Sequence, residues 1–136
     1  MYKRQVENNV AKGSPWACFG LYSGTTRATL VGNTASGCRA GFDLSEGAHD
    51  NTLRGNTSNN NVGGNGFSLG ATAVSNVLTD NTANRNNYGF IVQEGATQNT
   101  LAYNSARANA ELDALQWDRA ADNIWTHNNF GTSSGF

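Results

Sequence analysis

The sequence predicts an all-β fold, a right-handed parallel β-helix of about five to six coils with three short strands per coil and an internal asparagine ladder. Three observations predict it. An apolar-polar template returns about every 24 residues, a phenylalanine block keeps the same period, and the composition is crowded with turn-forming residues.

The template is read in order along the chain as Ala28-Thr29-Leu30-Val31-Gly32-Asn33, Asn51-Thr52-Leu53-Arg54-Gly55-Asn56, Asn76-Val77-Leu78-Thr79-Asp80-Asn81, Asn99-Thr100-Leu101-Ala102-Tyr103-Asn104 and Asn123-Ile124-Trp125-Thr126-His127-Asn128. Val6-Glu7-Asn8-Asn9 is an earlier partial copy. The closing residue recurs at Asn9, Asn33, Asn56, Asn81, Asn104 and Asn128, at intervals of 24, 23, 25, 23 and 24. A small pair follows each closing Asn, as in Thr34-Ala35, Thr57-Ser58, Thr82-Ala83 and Ser105-Ala106. The Phe block comes next, as Phe19-Gly20-Leu21, Phe42-Asp43-Leu44, Phe67-Ser68-Leu69 and Phe90-Ile91-Val92. Each coil therefore offers three short alternating runs separated by Gly, Asn or Ser, too short for helices and suited to strands. Consecutive coils hydrogen-bond about 4.8 Å apart, so like residues stack in inward-facing files. Asn tolerates left-handed backbone angles, and stacked amides satisfy one another inside the wall, so the six closing Asn are read as structural supports.

The last segment, Glu111 to Asp122, departs from the Phe rule, with Leu112, Leu115 and Trp117 among Asp113, Asp118, Arg119 and Asp122. Terminal repeats are expected to be atypical, so residues 1–136 are read as one domain whose coil 111–136 is a cap, with Trp125 in its terminal plug. No comparable lid is evident between Met1 and Glu7, which leaves open strand edges and predicts a homodimer through that end.

The 136 residues carry 9 Lys+Arg against 10 Asp+Glu, a net charge of −1, which supplies no field to attract nucleic acid or an anionic membrane. Charged residues are only 14% and hydrophobic ones 38%; the 20 Asn and the single Pro15 complete a composition of many strands and tight bends. No apolar run is long enough to span a bilayer, and Met1-Tyr2-Lys3-Arg4-Gln5 lacks the apolar stretch of a secretory signal, which leaves the compartment open. Cys18 and Cys38 occupy different phases of the repeat and are read as half-buried thiols filling small gaps, a bridge being the alternative if a corner brings them together.

The run of Asn, small residue, Gly-Phe-x-Leu and Asn-x-Leu-x-x-Asn resembles the parallel β-helix repeat of the carbohydrate-binding and sugar-hydrolase superfamily, from Val6 to Phe130. The ending Asn123-Ile124-Trp125-Thr126-His127-Asn128-Asn129-Phe130-Gly131-Thr132 is similar to the last coil of many such proteins, including relatives of the periplasmic copper-maturation factor of nitrous oxide reductase. The resemblance implies a ligand lying along an outer strand face. It does not choose among lyases, epimerases, hydrolases, tailspikes and binding proteins. The motifs diagnostic of polygalacturonases, pectate lyases and alginate epimerases are missing. Copper or zinc ligation is not expected either, because His49 and His127 fall in different phases and the only Met is Met1. No cofactor is implied.

Three groups of residues are candidates for function. Asp43, Glu46 and His49 follow one another around a single coil and supply the acid, base and ligand types that a polysaccharide lyase or epimerase would use, with Arg54 as partner for a substrate carboxylate. Gln93 and Glu94 lie two coils later, about 10 Å along the axis. Asp80, Tyr103 and His127 fall on successive coils just before the Asn ladder, where a polar edge is the simpler reading. Tyr22, Tyr88, Tyr103, Trp16 and Trp117 lie outside the inward files, and Tyr88 and Tyr103 offer flat faces for sugar rings. The outward file Thr34, Thr57, Thr82 and Ser105 is too irregular in its neighbours to favour an ice-binding array. The leading expectation is a non-catalytic module binding polysaccharide, the alternative a carbohydrate-active lyase or epimerase, and the third a structural solenoid without a ligand.

Overall fold

The computed structural model describes residues 4–117, 120 and 122–136. Among the described residues every regular element is a strand. The first rung contributes β1 (Arg4–Glu7), β2 (Val10–Lys12) and β3 (Ala17–Leu21), and the second β4 (Ala28–Val31), β5 (Thr34–Ser36) and β6 (Ala40–Leu44). The third has β7 (Thr52–Arg54), β8 (Thr57–Asn59) and β9 (Asn65–Leu69), and the fourth β10 (Val77–Thr79), β11 (Thr82–Asn84) and β12 (Tyr88–Val92). The fifth has β13 (Thr100–Ala102), β14 (Ser105–Arg107) and β15 (Leu112–Gln116), and the sixth β16 (Ile124–Thr126), β17 (Asn129–Phe130) and β18 (Ser133–Ser134). Each strand pairs in parallel with its counterpart one rung away, giving three six-stranded sheets around one core.

The register stacks like on like. Leu30, Leu53, Leu78, Leu101 and Trp125 form one file of the first sheet. Ala35, Ser58, Ala83, Ala106 and Phe130 form the inner file of the second. In the third, Phe19, Phe42, Phe67 and Phe90 stack with centroids 4.8, 4.7 and 4.8 Å apart. Strand spacing imposes this near-parallel stack, and complete burial of Phe42, Phe67 and Phe90 keeps it favourable, at roughly 1.5–3 kcal/mol of apolar transfer per side chain.

There are three asparagine ladders, one per corner. Asn9, Asn33, Asn56, Asn81, Asn104 and Asn128 form the first, in which backbone N–H and Nδ2 of each donate to Oδ1 of the next, as from Asn33 to Asn56 at 2.9 and 3.0 Å. The second runs Asn51, Asn76, Asn99, Asn123 and the third Asn61, Asn86, Asn109. The residue before each ladder Asn has positive φ in every rung of the first ladder: Asn8 54°, Gly32 66°, Gly55 64°, Asp80 56°, Tyr103 57° and His127 52°. The same holds before the second ladder at Asp50, Ser75, Gln98 and Asp122, and before the third at Asn60, Arg85 and Ala108. A left-handed residue turns the chain, and the Asn behind it uses the amide to hold the turn to the next rung. Among the described residues, no buried side-chain nitrogen or oxygen is left without a hydrogen-bond partner.

The glycine before each Phe is demanded by space. A Cβ at Gly66 would sit 2.5 Å from the Gly89 carbonyl oxygen and 2.8 Å from the Ala83 Cβ. The file reads Cys18, Gly41, Gly66, Gly89, Asp113, so the outer rungs break the rule, with a disulfide-bonded cysteine in one and a hydrogen-bonded carboxylate in the other. Cys18 is bridged to Cys38, with Cα atoms 5.7 Å apart, which corrects the reading of these residues as thiols. Cys38 occupies the place an Asn would hold in the third ladder, its backbone N–H donating to Asn61 Oδ1 at 2.8 Å, so the corner itself carries it toward Cys18.

At the other end Asp113 is buried. Its Oδ1 accepts from Asn109 Nδ2 at 2.6 Å, ending the third ladder, and its Oδ2 accepts the backbone N–H groups of Gly131 and Thr132, both at 3.0 Å. Trp125 occupies the Leu file and stacks on Phe136 at 4.1 Å. Leu112 and Leu115 register with the outward residues Tyr88 and Ile91. Asp118 and Arg119 lie outside the described residues.

Candidate functional site

The outer face of the third sheet carries a groove of about 580 Å³ that crosses four rungs. Its floor is set by strand alternation. Between inward Phe42 and Leu44, Asp43 points outward, and the register aligns Gly20, Asp43, Ser68, Ile91 and Leu115 in one file. Gly20 leaves room for the Tyr22 ring, which lies against the place a Cβ would take. One wall is built by the corner after the second sheet, where Arg39 lies 5.9 Å from the Trp16 ring centroid. The other wall follows the third sheet and includes Tyr22, Glu46, Thr72 and Gln93.

A polar row runs along the axis. Tyr22 Oη donates to Asp43 Oδ2 at 3.0 Å, Ser68 stands beside Asp43 one rung on, and Gln93 Nε2 donates to Ser68 Oγ at 3.4 Å. Burial holds the Asp43 carboxyl above its ordinary pKa, against the polar neighbours Tyr22 and Ser68, which favour the charged form. Tyr22 is pushed up to about 12, first by desolvation and then by the charge and hydrogen bond of Asp43. Glu46, exposed at the rim, accepts the Ser23 hydroxyl at 3.2 Å.

The residues expected to act together are thus divided. Asp43, Glu46 and Gln93 share the groove. His49 does not line it; its Nδ1 lies 2.8 Å from Asp50 Oδ2 and 3.4 Å from Thr26 Oγ1, where short bridges link Thr26, His49, Val74 and Thr97. Arg54 is exposed at the end of β7 in the first sheet, on another side of the solenoid. Tyr88 stands on the third sheet one rung beyond Asn65 of the groove, and Glu94 follows Gln93 on the wall side. Tyr103 belongs to the left-handed corner of the first ladder, where it stacks on His127 at 4.9 Å. The groove also takes in Arg39, Asn65 and Ser68, which lie outside the three candidate groups of the sequence. For Ser68 the signal was available in its file with Asp43, whereas Arg39 and Asn65 reach the groove through the corner geometry.

Three parallel sheets, stacked core files and three polar ladders define a right-handed parallel β-helix repeat protein. The family model described as periplasmic copper-binding protein (NosD) matches residues 2–134, and the chain belongs to that family. No curated protein and no solved structure matches the chain significantly.

The family description raises the question of copper. Among the described residues no three His, Cys, Asp or Glu side chains gather in a way that would hold a metal ion. His49 and His127 sit at different corners, and both cysteine sulfurs are joined to each other. The described residues do not fit a copper centre built within this chain.

Proposed function

We propose that this chain is a non-catalytic β-helix module that binds a polysaccharide or another extended polymer along the outer face of its third sheet. The observation that carries the reading is the groove, whose row Tyr22–Asp43–Ser68–Gln93 runs in the direction of the axis. A polymer lying parallel to the axis meets a new side chain about every 4.8 Å, so hydrogen-bonding groups repeat along it. Trp16 is 68% exposed at one rim and offers a flat face on which a sugar ring can stack. Tyr88 and Glu94 extend the contact surface toward later rungs.

Affinity electrophoresis against a panel of polysaccharides tests this. Retardation without turnover is the expected result, and Trp16→Ala is expected to weaken it about fivefold or more, in line with loss of an aromatic contact. The alternative, a lyase or epimerase using Asp43, Glu46 and His49, draws on the two carboxylates that share the groove. It would appear as an unsaturated product absorbing in the ultraviolet or as inverted sugar stereochemistry. No retardation by any polymer would leave the structural solenoid.

A further inference from the structure

We infer that the groove selects a saccharide chain without carboxylate or sulfate groups, an inference that rests on the binding role proposed above and names its ligand class. The floor carries Asp43 and the rim Glu46, against one cation among the described residues of the lining, Arg39, which is engaged with Trp16. The guanidinium expected to meet a substrate carboxylate, Arg54, belongs to a different sheet. A polyanion laid along this face would bring a negative charge toward half-buried Asp43 in a setting that screens poorly, and like charges so placed repel.

The same carboxylate suits hydroxyls. An ionised carboxylate has about four lone-pair directions and no donor. On Asp43, Tyr22 uses one of them, which leaves directions free for neighbouring hydroxyls of one sugar ring. Tyr22 also orients the carboxylate before ligand arrives, which lowers the ordering cost of binding. Gln93 donates to Ser68 through its amide nitrogen, so a second sugar along the axis would meet an amide rather than a charge.

The test is isothermal titration of the whole chain with soluble neutral polysaccharides (dextran, galactomannan, xyloglucan) and with polygalacturonate and alginate. At least one neutral chain is expected to bind, and tenfold or more tighter than either polyuronate. Asp43→Asn, checked by circular dichroism for an unchanged fold, is expected to weaken neutral-chain binding and narrow the difference from polyuronate. Equal or tighter binding of a polyuronate would overturn the inference while leaving the binding role intact. Failure of every polymer to bind would overturn the binding role itself.

Discussion

The phenol of Tyr22 donates a 3.0 Å hydrogen bond to Oδ2 of Asp43, joining two rungs across the floor of the groove. The pair couples the electrostatics of the site to the stability of the fold, and its two members titrate in opposite ranges.

Tyr22 is held at about 12, above the ordinary value of 10.0, because desolvation and Asp43 both oppose the phenolate. A raised folded-state pKa gives stability that is complete below the unfolded value and disappears as pH rises through the folded one. Stability from this group is therefore expected to fall between about pH 10 and 12. An absorbance titration is expected to show a late tyrosine phase, and Tyr22→Phe should remove it. A titration curve that Tyr22→Phe leaves unchanged in its high-pH range would refute the coupling.

Asp43 is also raised, by burial, so its ionised form opposes folding. Its favourable contribution exists below the unfolded carboxyl pKa and is lost as pH rises through the higher folded value. At neutral pH Asp43→Asn is expected to keep or raise the melting temperature even as it weakens ligand binding. A lowered melting temperature would show that the carboxylate serves the fold.

Asn56 stands in the interior of the first ladder, accepting from the backbone and side chain of Asn33 and donating to Asn81 and the Leu30 carbonyl. Removing the amide strands buried donors and an acceptor, each costing about 1–3 kcal/mol. Asn56→Ala is expected to lose about 3 kcal/mol or more in urea unfolding, and Asn9→Ala, whose side chain is exposed, about 1 kcal/mol or less. Equal losses would argue against the ladder as an interior support.

Asp113 gathers two backbone donors and the end of the third ladder onto one buried carboxylate. Asp113→Ala is expected to cost about 3 kcal/mol. Asp113→Asn should also destabilise, because an amide nitrogen would face the N–H groups of Gly131 and Thr132 or the Asn109 amide. Thermal melts of both variants check this, and a neutral Asn variant would refute the acceptor role.

The Cys18–Cys38 bridge spans 20 residues, and closing a loop of that size is worth about 3 kcal/mol in the chain-entropy account. Reduction is expected to lower the melting temperature, and the double serine variant should match the reduced protein. No shift on reduction would show that the bridge adds nothing beyond the ladder contacts around Cys38.

Much of this fold is legible in the residues because a solenoid repeats its environment. Leu30, Leu53, Leu78 and Leu101 share a phase and therefore an interior, and the same logic finds the Phe stack and the first ladder. Asn51, Asn76, Asn99 and Asn123 recur in one phase as opening letters of the template, the same kind of sign that marks the first ladder. Asp113 and Cys38 were harder, since each replaces a repeat residue with a different chemistry that makes sense only beside its partner. The site divides along the same line. The file Asp43–Ser68 follows from phase, whereas the separation of His49 and Arg54 from it depends on which side of a corner each residue leaves.

By itself, then, the order of residues determined the coil period, the inward files and the first polar ladder, because each depends on spacing along one chain. Only the tertiary structure decided that Cys18 meets Cys38, that Asp113 faces inward, and that Tyr22, Asp43, Ser68 and Gln93 make one row. Those depend on how each corner turns the backbone and how closely adjacent rungs approach, quantities that a period leaves open.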